Sequence, residues 1–147
     1  MTEPGQHQPV DDSPTGWVAK HIDQYVETDG AVGAKHNGID ALLITTRGRR
    51  SGRLRRTALF YGHDSDHYLL VASNGGAKHH PQWYLNLLVN PEVEVQIGAE
   101  KFTARARKAA DDERPRLWPL MAAVFPMFDA YQRKAGREIP IVVLERI

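Results

Sequence analysis

Residues 92–97 read EVEVQI and residues 101–107 read KFTARAR, with Gly98, Ala99 and Glu100 between them. Apolar and polar side chains alternate strictly in both runs, so Val93, Val95 and Ile97 share one face and Phe102, Ala104 and Ala106 share another. A period of two belongs to a strand with one dry face and one wet one. Joined by a short glycine-bearing linker, the two runs predict an antiparallel hairpin, and any fold for this chain must cover one side of it.

The remaining segments narrow the architecture. Residues 41–46 (ALLITT) and 139–144 (IPIVVL) are short apolar runs suited to buried strands, and residues 53–61 and 67–73 flank GHDSD as a second hairpin. Residues 33–38 (GAKHNG) read as loop. Three stretches have helical spacing. The first is capped by Ser13-Pro14 and carries Trp17, Val18, His21, Ile22, Tyr25 and Val26 before Gly30. The second, residues 81–88 (PQWYLNLL), is closed by Asn90-Pro91. The third runs from Asp111 with Leu117, Leu120, Met121, Val124, Phe128 and Tyr131 on one side, where Pro119 and Pro126 should break or kink it. About six strands, mainly antiparallel, with no regular βαβ alternation, predict an α+β fold in which a small barrel is packed by helices.

A chain of 147 residues suits one domain. Residues 1–12, rich in Pro, Gly, Gln and Asp, read as a mobile N-terminal tail, leaving 13–147 as the folded unit. No apolar run approaches a membrane span and no secretory signal pattern is present, so the expected location is cytoplasmic. The absence of cysteine excludes disulfides, thiolate metal sites and cysteine nucleophiles.

Charge is unevenly distributed. Residues 45–56 read TTRGRRSGRLRR and hold six arginines, whereas the rest of the chain has an excess of five acidic residues. Basicity confined to one segment indicates a site rather than a cationic surface. Guanidinium forks match phosphate and carboxylate oxygens, and Gly48 and Gly52 let backbone N–H groups approach an anion. On charge alone, a phosphate site, a nucleic-acid surface and a solvated loop all stay open, though the acidic remainder argues against nucleic acid. Neither a Walker loop nor a dinucleotide fingerprint occurs.

A second constellation begins at a strand end with Ala72-Ser73-Asn74-Gly75-Gly76 and continues through Lys78, His79, His80 and residues 81–86 (PQWYLN). The glycines permit a turn against a flat ligand, and Trp83 and Asn86 lie one helical turn apart on one face. The same spacing also suits a tryptophan that is plain core. The histidines have no metal-ligand spacing and no serine sits in a nucleophile elbow, so an organic cofactor is the expected carrier of any reactive chemistry.

In colinear order over residues 40–147, LLITTRGRRSGRLRR, LLVASNGG, HPQWYLNLLVNPEVEVQI and IPIVVLE resemble the deazaflavin-dependent nitroreductase family of actinobacteria. The resemblance implies a split β-barrel that binds coenzyme F420, a deazaflavin with a phosphodiester and an oligoglutamate tail. Its TTGRKSGQPR motif falls on Thr45 to Arg55. That places Arg49, Arg50 and Ser51, with Arg55 and Arg56, on the phosphate and tail, and makes Thr57 and Phe60 further cofactor-side residues. Arg47 and Arg53 are expected to be solvated. Its ASKGG falls on Ala72 to Gly76, so Ala72, Ser73, Asn74 and Gly75 lie by the ring or its linker, with Asn74 where the family has Lys. Its NPxWYLNL motif implies Trp83 and Asn86. Trp17, Phe128 and Tyr131 are expected to frame a substrate pocket, with Tyr131 as proton donor. Where nitroimidazole-reducing members have a tyrosine-rich run, this chain has Phe125 and Phe128. The implied reaction is hydride transfer from C5 of reduced F420 to a quinone or nitroaromatic. Binding of F420 without turnover, as a carrier or sensor, is the alternative, and the resemblance leaves contact of the first helix with a membrane open.

Overall fold

The computed structural model describes residues 9–14 and 16–147, with the side chains of Gly16 and Trp17 outside that description. In chain order the elements are β1 (Val10–Asp12), α1 (Gly16–Glu27), β2 (Lys35–His36), β3 (Ile39–Arg47), β4 (Leu54–Phe60), β5 (Gly62–Asp64) and β6 (His67–Val71). A 3₁₀ turn (Asn74–Gly76) follows, then α2 (Gln82–Val89), β7 (Glu92–Ile97), β8 (Glu100–Lys108), α3 (Arg114–Val124), α4 (Met127–Ala135) and β9 (Ile141–Arg146).

The sheet runs β1-β4-β3-β7-β8-β9-β6-β5, with β2 attached to β3. Every pairing is antiparallel except β1 with β4. Tyr61 alone separates β4 from β5, yet these strands stand near opposite ends of the hydrogen-bonded order. A sheet so connected cannot lie flat; it curls until its ends meet, which is the split β-barrel.

Side-chain alternation explains why some strands read as continuous apolar runs. Leu42 and Ile44 point into the barrel core beside Val93, Val95, Phe102 and Leu144, while Leu43 between them packs outward on Val18, Ile22 and Tyr25 of α1. Val142 and Leu144 face the barrel core, and Ile141 and Val143 face a second cluster with Leu117, Met121 and Phe128 of α3 and α4. Strands covered on both sides lose their polar positions. β7, whose Glu92 and Glu94 are exposed, keeps the strict alternation.

Tyr25 fixes α1 to the barrel: its hydroxyl lies 3.1 and 3.2 Å from the carbonyls of Ala41 and Gln96 and accepts from the Gly98 N–H at 2.7 Å. Burial raises the pKa of this phenol, so it stays protonated and able to donate.

Four expectations are corrected. Residues 10–12 are a strand rather than part of a tail, because Asp11 and Asp12 meet arginines of β4 and the turn before it. β4 pairs with β3 and β1, not with β6; the hairpin around Ser65 and Asp66 joins β5 to β6. The 33–38 loop contains β2, folded onto β3 through Asn37 and Gly38, both at positive φ (52° and 80°) as such a tight turn requires. Pro119 sits inside α3 at an exposed position without ending the helix, whereas the expected break at Pro126 does occur, at Phe125-Pro126. No helix among the described residues is long and apolar enough to cross a membrane.

Candidate functional site

A cavity of about 720 Å³ opens where five segments converge: β1 with the start of α1, the β3–β4 turn, β4, the end of β6 with its 3₁₀ turn, and the first turn of α2. One wall is basic. Gly48 opens the β3–β4 turn, where a Cβ would lie 2.6 Å from Ser51 Oγ and push that hydroxyl off its bond to the Arg53 N–H. Its N–H donates to the Arg53 carbonyl (2.7 Å), Gly52 N–H donates back to the Gly48 carbonyl (2.9 Å), and Ser51 Oγ accepts from Arg53 N–H (3.1 Å).

The turn thus formed presents its arginines differently. Arg49 is tied to α2: its backbone N–H and Nη1 both donate to Asn86 Oδ1, at 3.1 and 2.8 Å, and Nη2 donates to Gln82 Oε1 at 2.9 Å. Asn86 is buried, so its amide oxygen is committed to holding the turn. Arg50 is exposed and makes no hydrogen bond or ion pair among the described residues. Arg56 chelates Asp12 through Nε (2.6 Å) and Nη2 (3.2 Å). Arg53 does the same to Asp11 (2.6 and 2.9 Å) and, with neighbouring Arg55, holds the Asp11 carboxyl below its usual range. Arg47 donates to the Gly52 carbonyl at 2.6 Å. Arg47 and Arg53 do not line the cavity, but both are engaged rather than merely solvated.

A second wall is backbone. Asn74, Gly75 and Gly76 are all at positive φ (50°, 63° and 82°). A Cβ on Gly75 would meet nothing within 4 Å, whereas one on Gly76 would lie 3.1 Å from the backbone of Tyr131, so the turn leans on α4 and leaves its other side open to the cavity. Asn74 Nδ2 donates to the His79 carbonyl at 3.0 Å, and one further side chain ties the segment to the rest of the fold. Arg137, just past α4, donates to the carbonyls of Ala77 (3.1 Å), Ser73 (3.1 Å) and His79 (3.0 Å) and lies 3.1 Å from His80 Nδ1. Because the guanidinium can only donate, Nδ1 accepts and the ring is neutral. Burial first, then Arg137 and Lys108, push the His80 pKa down in keeping with that.

Of the expected cofactor-side residues, Arg49, Arg50, Ser51, Arg55, Arg56, Thr57, Ser73, Asn74, Gly75, Trp83 and Asn86 all line this cavity. Phe60 and Ala72 do not. Phe60 packs its ring at a tilt against Phe125 (centroids 5.0 Å apart, 55° between planes) and Ala72 is sealed in the barrel core. Phe128 and Tyr131 also fail to reach the cavity: α4 turns its apolar face onto β6 and β9, burying Phe128 beside Leu117 and Met121 and packing Tyr131 behind the 3₁₀ turn. The Trp17 side chain lies outside the described residues. Contributors not foreseen include the apolar Val18, Leu59 and Val71 and four polar residues. Gln82 adjoins a motif already noticed, but Asp11 and Asp12 carry tail-like composition and Arg137 reads as ordinary surface charge.

Residues 17–146 match the sequence model of the F420H(2)-dependent quinone reductase family. The chain belongs to that family. An F420H(2)-dependent quinone reductase of Mycobacterium tuberculosis is 35% identical over 143 residues, covering 88% of this chain and 96% of the relative. Among solved structures, an F420-H2 dependent reductase is 37% identical, covers 71% of this chain and 93% of its own, and superposes with a TM-score of 0.66. A chain described as a domain-swapped dimer is 35% identical, covers 90% of this chain and all of its own, and gives a TM-score of 0.69. The family fixes coenzyme F420 as the cofactor.

Features of the cavity fit that group. Its volume is in the range of cofactor pockets. Arginine forks at one end suit a polyanion, and the open face over Gly75, a space that any Cβ would enter, suits a flat ring beside Trp83.

Proposed function

We propose that the chain reduces a quinone with F420H2 bound in this cavity, its anionic end toward Arg49, Arg50 and Arg55 and its ring toward Ser73, Asn74, Gly75 and Trp83. The observation that carries the assignment of ends is that an arginine-bearing segment and a separate glycine-bearing backbone turn both line one 720 Å³ space. When bound, the cofactor supplies hydride at C5 to an electron-poor acceptor.

The protein's part is orientation and electrostatics. Arg49, immobilised by Asn86 and Gln82, offers a guanidinium whose position is set before the ligand arrives. Arg50 and Arg55, whose side chains make no hydrogen bond or ion pair among the described residues, are the cations available for a phosphate. Val18, Leu59, Val71 and Trp83 give the middle of the cavity an apolar surface that excludes water from a reacting ring. The two carboxyls of the described lining, Asp11 and Asp12, are held in ion pairs by Arg53 and Arg56, so water at the cavity mouth is the proposed source of the proton the reduced quinone needs.

Titration with F420 and with FMN, followed by Trp fluorescence, tests the binding step. F420 should bind, and Arg49→Ala with Arg50→Ala should weaken it at least about tenfold. Tight FMN binding without F420 binding would overturn the assignment. Anaerobic oxidation of bound F420H2 by a soluble quinone tests turnover; a bound cofactor that no quinone or nitroaromatic oxidises would make the protein a carrier.

A further inference from the structure

The arginine wall already holds carboxylates, and they belong to the chain itself. Asp11 and Asp12 each occupy a full guanidinium fork, on Arg53 and Arg56, at the rim of the cavity that both aspartates line. A carboxylate or phosphate oxygen of a ligand would approach these forks in the same bidentate geometry. The strand carrying the aspartates is weakly anchored. Among the described residues β1 is three residues long, lies at the end of the sheet order and pairs with β4 alone, supplemented by a backbone bond from Ser13 N–H to the Arg56 carbonyl (2.9 Å). Competitors held by exchangeable ion pairs on a weakly held strand form a displaceable plug.

We propose that Asp11 and Asp12 are built-in competitors for the anionic end of the ligand and so set its specificity: a ligand whose negative charge extends past one phosphate must lift β1 from Arg53 and Arg56, whereas one without such a tail leaves β1 in place. This rests on the assignment of the cavity to F420. Arg49 and Arg50 remain for the first phosphate in either case, because neither is paired to an acid in the described structure. Affinity for the charged tail is then a difference between two sets of carboxylates on the same forks, and the aspartates penalise weakly charged analogues least.

Two probes separate the possibilities: F420 with its oligoglutamate tail, and the deazaflavin chromophore lacking both phosphate and tail. In the wild-type chain, hydrogen exchange at residues 10–13 should accelerate when F420 is added and stay unchanged with the bare chromophore. In Asp11→Asn with Asp12→Asn, the ratio of F420 affinity to chromophore affinity should rise about tenfold at low salt. Unchanged or increased protection of residues 10–13 by F420, or an unaltered affinity ratio in the double variant, would overturn the competition while leaving the cavity assignment intact. Failure of both probes to bind would remove the cavity assignment and this inference with it.

Discussion

Between Gly48 and Arg56 the cavity is bounded by long side chains that reach outward to carboxylates and amides. Between Ser73 and Pro81 it is bounded by backbone held from behind by one guanidinium. The first wall is partly exposed and its ion pairs can exchange partners with solvent or ligand; the second has left-handed backbone pressed against α4 and no spare rotamers to lose. Flexible charge suits a ligand end with several equivalent anions, where any of several pairings is acceptable. A preformed backbone surface suits a ring whose reactive carbon must be placed to a fraction of an ångström.

The largest effect should follow from cutting the support of the rigid wall. Arg137→Ala removes the donor from the Ala77 carbonyl and from His80 Nδ1 in a partly buried setting, leaves the Ser73 and His79 carbonyls only the Gly76 N–H and Asn74 Nδ2, and should cost about 2–4 kcal/mol of folding stability. Urea denaturation measures that cost, and F420 titration should show weaker binding of ring and tail alike. Arg137→Lys, which can reach one or two of the four acceptors, should recover part of both. A loss under about 0.5 kcal/mol would show that the turn is held by something other than this guanidinium.

Next in size is Gly76→Ala, in the same wall. The residue has φ of 82°, and the added Cβ would lie 3.1 Å from Tyr131 Cα and carbonyl oxygen, which are backbone atoms of a packed helix. Strained conformation and contact together should cost about 1–3 kcal/mol, read as a lower midpoint in the same denaturation. Gly75→Ala shares the positive φ but meets nothing. The difference between the two variants therefore isolates the contact with α4 from the backbone strain.

The contrast between the walls also bears on what the sequence could disclose. EVEVQI and KFTARAR state their pairing in their own alternation, and β3 and β9 read as buried because both faces are covered. Local pattern did not say which strand β4 would join, since a single Tyr61 between β4 and β5 turns one apolar stretch into two strands at opposite ends of the sheet order. In the site, the arginines, Ser73 to Gly75, Trp83 and Asn86 were legible because each lies within a compact motif. Asp11 and Asp12 were not: their partners are 42 and 44 residues away, and two aspartates after a Pro-rich stretch look like a disordered end. Phe128 and Tyr131 show the limit of helical periodicity. It identifies the apolar face of α4 but not whether that face meets a core or a cavity, and here it meets β6 and β9.

Acidification should loosen the rigid wall selectively. The His80 pKa is lowered in the fold, chiefly by burial and then by Arg137 and Lys108, so the folded state binds fewer protons there than the unfolded chain. That contribution to stability is complete above the ordinary histidine value of 6.5 and is lost as pH falls toward the folded value. Thermal midpoints and F420 affinity should both decline on the acid side of neutrality, with His80→Gln flattening the decline. A profile unchanged by that substitution would assign the pH dependence to carboxylates elsewhere.

The smallest effect is expected at Arg53, in the flexible wall, although its bidentate pair with Asp11 has better distances than most contacts of Arg137. Both partners are substantially solvent-exposed, so water and salt ions replace each other's oxygens and nitrogens at little cost, and two long side chains regain rotamer freedom when the pair opens. Arg53→Ala should therefore leave the thermal midpoint within experimental error and be insensitive to added salt. Geometry alone would rank this pair beside the Arg137 clamp; solvent access ranks it last. A destabilisation approaching that of Arg137→Ala would mean that β1 is a structural strand rather than a plug, and the two walls would then differ in chemistry but not in rigidity.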